Sequence, residues 1–267
     1  MSATARQGSY RRRFAALFAA GFLGVLALAP TLPETLRALP LPPEARAALP
    51  PIPVLVALSL IQPTLLMAGG VALGLALAPR LGLRSHLAES AAGEAPGLRA
   101  VARQAPLAVA LSIPVDLLAL GLDLWVFRPW IGDAGAALYQ EGERTLAVTL
   151  AGMLYGGITE ELMMRWGVMS LLAWAGWRLF RRGRGEPGPA VMWAAVLAAA
   201  LLFGAGHLGA VSAVAPLTAA VVTRTVALNA LAGVAFGWLF WRRSLEAAML
   251  AHMAGHVVLT LVSLAQG

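Results

Sequence analysis

Two glutamates, an arginine and three histidines stand in this chain where charge and polarity are least expected. Glu160 and Glu161 occur in Tyr155-Gly-Gly-Ile-Thr-Glu160-Glu161-Leu-Met-Met-Arg165, inside an apolar run from about Leu146 to Phe180. His207 ends Phe203-Gly-Ala-Gly-His207, and His252 and His256 come from His252-Met-Ala-Gly-His256. A charge at the centre of a membrane helix costs at least about 2.5–3.5 kcal/mol, so such groups are paired or line a wet cavity. On a helix Glu161 and Arg165 share one face, as do His252 and His256. Glu161 with Arg165 reads as an ion pair that locks the bundle, and Glu160, about 100° away around the helix, is free to face something else. A lone membrane histidine commonly does no more than hydrogen-bond a neighbouring helix. Three of the chain's four histidines, together with Glu160, on three separate apolar segments are harder to explain in that way. A glutamate beside a bound water is a natural general base. Imidazole and carboxylate are also natural zinc ligands. Hydrolysis of a peptide bond needs an activated water and donors for the developing oxyanion, and Glu160, His207, His252 and His256 are the residue types that supply them. The remaining histidine, His86, lies in a polar stretch and reads as a bland loop residue.

The 267 residues are 59% hydrophobic and 12% charged, against about 25% charged in an ordinary soluble domain, so the chain reads as an integral membrane protein. It has no cysteine, which excludes disulfides and thiolate chemistry. All 20 basic residues are arginine and the net charge is +7. In a membrane protein such basic loops set topology and touch anionic headgroups, so nucleic acid is not an expected partner. The expected partners are membrane lipid and a membrane-associated peptide or protein.

The elements that must position these residues follow from hydropathy. A basic start (Arg6, Arg11, Arg12, Arg13) precedes an apolar segment at about Phe14–Leu32. That pattern also describes a signal peptide, but in so apolar a chain it reads as a first transmembrane helix. Residues 33–51 are Pro-rich and read as a loop. Further spans are expected at Ile52–Ala78, interrupted at Pro63, at Pro106–Phe127 with Asp116 and Asp123, at Ala190–Ala215, at Leu217–Trp241 and at Ser244–Ala265. Arg80–Gln104 reads as a loop or surface helix, and 128–144 as a polar connection. Leu146–Phe180 is either one overlong helix or two, since a span needs about 20 residues. With one helix, 14 arginines fall on the cytoplasmic side and four (Arg37, Arg46, Arg128, Arg144) outside; with two, six move across and the counts become 8 and 10. The positive-inside rule favours one helix. The expected fold is therefore all-α, a polytopic transmembrane helical bundle of about seven to eight spans, with the N-terminus in the cytoplasm. Residues 1–140 are expected to supply N-terminal helices and loops, and 141–267 the catalytic membrane core, within one integrated membrane domain.

Glu160-Glu161-x-x-x-Arg165, Phe203-x-x-x-His207 and His252-x-x-x-His256, in that order, resemble the successive motifs of the CPBP family. These are the CAAX-protease and bacteriocin-processing (Abi) intramembrane proteases, related to the type II CAAX prenyl endopeptidase. The resemblance covers about residues 145–262. It implies a bacterial inner-membrane protease in which Glu160 activates water, His207 holds that water with it, and His252 stabilises the oxyanion or helps hold the water. Glu161 and Arg165 would be the supporting pair. The prenyl endopeptidases have Asn where this chain has His256. A histidine there can also bind metal, so a zinc-type divalent ion on Glu160, His207, His252 and His256, and a metal-free water mechanism, are both open.

Asn229, Gly233 and Gly237 recur every four residues and suggest a close helix–helix approach, with Asn229 also able to orient a catalytic side chain. Arg224 is a candidate partner for Asp116 or Asp123. The zinc-protease motif His-Glu-x-x-His and the Gly-x-Ser-x-Gly elbow are absent, and Asp116 with Asp123 lacks the glycine pattern of aspartyl intramembrane proteases. The rival class is a proton-coupled transporter or a non-catalytic membrane partner, because buried Glu, His and Arg also serve as proton relays. The lack of an internal repeat weighs against transport.

Overall fold

The computed structural model describes residues 3–39, 41–94, 97–139 and 145–266. The 140/141 boundary and Arg144 lie outside the described residues. Among the described residues every regular element is helical. Helix α1 (Ala3–Ala27) is followed by two short helices, α2 (Leu32–Ala38) and α3 (Pro43–Ala47), in the stretch expected to be a loop. Proline in the first turn of each explains this, because it is tolerated there and fixes a helical φ. Next come α4 (Ile52–Ser59) and α5 (Ile61–Leu77). The break falls at Leu60 rather than Pro63, which sits within the first turn of α5 where its missing N–H costs nothing.

The short α6 (His86–Ala91) precedes α7 (Gly97–Leu122), which continues through Asp123–Phe127 and Arg128–Ile131. The expected third span is thus longer at both ends and has absorbed Pro106 and Pro114. His86 is buried, not a loop residue. Its Nδ1 lies 3.2 Å from Glu89 and its Nε2 2.8 Å from the Gln104 amide. Glu246 accepts from Ser85 Oγ at 2.6 Å and from the backbone N–H of His86 and Leu87 at 3.0 Å, which ties α6 to the start of the last helix.

Residues 146–181 form one uninterrupted helix, α8, as the arginine distribution predicts. At about 1.5 Å per residue it is roughly 50 Å long, well beyond a hydrocarbon core of about 30 Å. Thr145 caps its start, accepting from the Val148 N–H at 3.2 Å. Two stretches, Gly152–Glu160 and Leu162–Met169, are wound in wide i→i+5 turns, a distortion that recurs at functional positions in helices. Arg182 (φ 50°) and Gly183 (φ 71°) end the helix in left-handed geometry. Then come α9 (Pro189–Gly206), the one-turn α10 (Leu208–Ser212), α11 (Ala219–Arg242) and α12 (Leu245–Gln266).

Among the described residues five helices are long and apolar enough to cross a membrane, or six if α1 and α2, bent by 47°, are one span. Helix α8 is outside that set because Glu160, Glu161 and Arg165 lower its hydropathy, although its length suffices. The chain is an integral membrane protein of the all-helical, polytopic kind. Its core lies between α8 and the helices around it. Trp166 packs edge-on to Phe240, with Leu162, Met169, Met192 and Leu239 buried beside them. Helices α9 and α11 meet closely, since a methyl group added at Gly233 would lie 3.0 Å from Ala200 and one at Gly237 3.0 Å from Val196. The small residues of α11 therefore serve packing.

Candidate active site

The site is built on the middle of α8, where three partners hold the helix in place. Thr159 Oγ1 donates to the Gly21 carbonyl of α1 at 2.7 Å, and a side chain at Gly24 would collide with Thr159 and the Leu154 carbonyl. Gly167 leaves no room for a methyl group against Gly70 of α5, 2.7 Å away. On the α12 side, a methyl group at Gly152 would lie 2.5 Å from His256 Nδ1, and one at Gly156 would lie 2.6 Å from His256 Nε2 and 3.1 Å from His252 Nε2. Gly157 makes the same allowance for Met253. These glycines are the residues that motif reading passes over. They let the two histidines of α12 lie directly against the helix that carries Glu160. Gly152, Gly156 and Glu160 recur every four residues and so stack along one face.

Glu161 and Arg165 are fully buried and bonded, Arg165 Nη1 donating to Glu161 Oε1 at 2.9 Å. Arg165 Nη2 donates to the Gly233 carbonyl at 3.2 Å, and its guanidinium lies over the rings of Phe203 (4.7 Å) and Phe236 (5.3 Å). The pair is not closed on itself, however. His252 Nδ1 lies 2.8 Å from the same Glu161 Oε1. An ionised carboxylate only accepts, so His252 carries its proton on Nδ1 and presents Nε2 as a lone-pair nitrogen. That Nε2 lies 4.0 Å from Glu160 Oε2. Glu161 therefore orients His252 as well as neutralising Arg165, a role invisible in the sequence because it crosses between helices. His252 is sandwiched between Phe236 (4.7 Å) and His256 (5.2 Å), which fixes its ring plane.

His207 sits at the turn between α9 and α10, eight residues before the end expected for that span. Its Nδ1 lies 2.8 Å from the Phe203 carbonyl, which can only accept, so Nδ1 carries the proton and Nε2 is again the acceptor nitrogen. Its ring stands edge-on to Phe203 at 4.7 Å, next to the ring under Arg165.

Glu160, His207, His252, His256 and Asn229 all line one cavity of about 620 Å³, together with Tyr155, Gly152, Gly156, Asp116, Asp123 and Arg224. Leu28, Thr31 and Thr35, from the end of α1 through α2, also line it, so the N-terminal part of the chain contributes wall as well as scaffold. Glu160 is half-buried. Asn229 Nδ2 donates to the Thr225 carbonyl of its own helix at 2.8 Å rather than to a catalytic side chain. Arg224 pairs with Asp123, its Nε at 2.7 Å and Nη2 at 2.5 Å, and Tyr139 O–H donates to the same carboxylate at 3.1 Å.

The histidine tautomers would suit a metal, since ligating imidazoles commonly donate their other N–H to a carboxylate or carbonyl. The positions do not. Among the described residues no three His, Asp or Glu side chains are grouped closely enough to hold a metal ion. A water needs only two acceptors and bridges groups more than 3.5 Å apart, and the 4.0 Å gap between Glu160 and His252 is such a gap.

Residues 142–258 match the model of the family described as type II CAAX prenyl endopeptidase Rce1-like. No curated protein and no solved structure matches the chain. The match runs from the start of α8 into α12 and contains Glu160, Glu161, Arg165, His207, His252 and His256, so this part of the chain is similar to the CAAX-protease family that its motifs resemble.

Proposed function

We propose that the protein is an intramembrane endopeptidase that hydrolyses a peptide bond at or near the membrane with a water activated by Glu160. The observation that carries the reading is the arrangement of acceptors on one cavity wall: the Glu160 carboxylate lies 4.0 Å from His252 Nε2, and His207 lines the same cavity. A water placed between them donates to two acceptors, and its oxygen lone pair is left for attack. Glu160 takes one water proton as the oxygen bonds to the peptide carbonyl carbon. The tetrahedral oxyanion then collapses, the C–N bond breaks, and Glu160 returns the proton to the leaving amine. The water's second proton is directed at Nε2 of His252 or His207, each ring being fixed by its Nδ1–H, and neither histidine exchanges roles with Glu160. Asn229 and His256, on the same cavity, are the polar side chains that face the developing oxyanion. Each step uses water and the chain's own side chains. The substrate is a membrane-associated peptide or protein within a lipid environment, and the enclosing membrane is the bacterial inner membrane.

The test is turnover of a cleavable membrane peptide by purified protein. Glu160→Gln and His207→Ala should each reduce turnover at least about 100-fold, the lower end of general acid–base contributions. Unchanged turnover in both would remove the mechanism.

A further inference from the structure

Four carboxyl groups belong to the cavity or its immediate backing, and two arginines are there to balance them. Glu161 is paired with Arg165, and Asp123 with Arg224. Glu160 and Asp116 are left over. Asp116, half-buried on α7, lines the cavity with Glu160, His207 and His252, and among the described residues no arginine or histidine lies at ion-pair distance from it. Its oxygen Oδ2 lies 2.6 Å from Ser112 Oγ, and that same hydroxyl, fully buried, lies 2.7 Å from the Ala251 carbonyl of α12. A hydroxyl has one proton and a backbone carbonyl has none. If Ser112 donates to Ala251, the second short contact needs a proton on Asp116. Membrane depth favours the same answer, because an unpaired charge there is costly. So does Glu160, since a second negative charge in one cavity is disfavoured.

With its proton directed at Ser112, Asp116 has Oδ1 left as a neutral acceptor. Gly255 of α12 lies against both oxygens, where a methyl group would be 3.1 Å from each. The absence of a side chain at 255 keeps the carboxyl beside the helix face that carries His252 and His256. An extended peptide entering an apolar cavity brings backbone N–H groups that must find acceptors. We propose that Asp116 is held as a neutral carboxylic acid in the cavity wall and that its Oδ1 accepts a backbone N–H of the bound peptide, positioning the chain for attack. The peptide contact rests on the endopeptidase reading above; the protonation does not.

Two measurements separate the parts. Infrared difference spectra of the purified protein in lipid at neutral pH, wild type minus Asp116→Asn, should show the band of a protonated carboxyl group; its absence overturns the proposal. In the peptide-cleavage assay, Asp116→Ala should raise KM about 3- to 10-fold with kcat little changed, the scale of one hydrogen bond. Asp116→Asn can donate to Ser112 and still present an oxygen, so it should rescue most of that loss. An Asn variant as impaired as the Ala variant, or a loss confined to kcat, would show that a charge or a transferable proton is required and would overturn the positioning role. Thermal unfolding of each variant identifies loss of fold, and Asp116→Leu, which fills the same space without an acceptor, replaces Asp116→Ala if that variant does not fold. If Glu160→Gln leaves cleavage unchanged, the endopeptidase reading falls and the peptide contact with it, while the infrared band still decides the protonation.

Discussion

Glu161 is the residue on which the charged stretch turns. In sequence it has an obvious partner in Arg165, and that ion pair is present at 2.9 Å. What the spacing does not reveal is that the same oxygen also faces His252 Nδ1, since that contact depends on how α12 packs against α8. A carboxylate fully withdrawn from solvent needs both partners. Arg165→Met would leave Glu161 buried without its cation and should destabilise the protein by about 3–5 kcal/mol, measured as unfolding in detergent. The expected signature is a stability loss larger than that of Glu161→Gln, which removes the charge and keeps a side chain able to meet His252. Equal losses would mean that the charge of Glu161 is not what Arg165 compensates. Asp123 and Arg224 were legible as candidates, and the structure selects Asp123 over Asp116 as the partner.

At the scale of elements, hydrophobic runs and the arginine count were sufficient to read α8 as one helix and to place Glu160, His207 and the His252–His256 pair on three separate helices. They were insufficient at the ends. Pro63 does not mark the break, because proline inside a first turn is harmless. The apolar run 190–215 contains a turn at His207 that hydropathy cannot register, since the residues on both sides are equally apolar. The glycines of α8 were in plain view, but their spacing does not say which helix they admit; their meaning lies in the contacts with α5 and α12. Gly156→Ala tests this most directly, because its methyl group would meet both His252 and His256. A displacement of about 1 Å at a reacting group costs on the order of 100-fold in rate, so turnover should fall about that much while the protein remains folded by thermal unfolding. Full activity in a folded Gly156→Ala protein would show that the histidine positions are not set by this contact.

For the whole molecule, we propose from the excess of arginine on one side an orientation with the N-terminus and the 182–188 turn in the cytoplasm, and α2 and α3 on the opposite face. The chain has no cysteine, so single cysteines report position without background. Arg184→Cys and Arg46→Cys, both at exposed positions, should label from opposite sides of a sealed membrane, Arg184→Cys from the cytoplasmic side. Labelling of both from one side would refute the seven-crossing reading. The cavity lies between α2, α7, α8, α9, α11 and α12.

The most direct measurement of the central claim is cleavage of a membrane peptide by the purified protein in lipid vesicles, wild type beside Glu160→Gln, with and without a stringent chelator. The arrangement of Glu160, His207 and His252 predicts that wild-type protein cleaves the peptide, that chelation leaves the rate unchanged, and that Glu160→Gln abolishes cleavage while remaining folded. Wild-type cleavage that Glu160→Gln retains would contradict the account at its centre, and cleavage lost to the chelator would contradict the direct activation of water by Glu160.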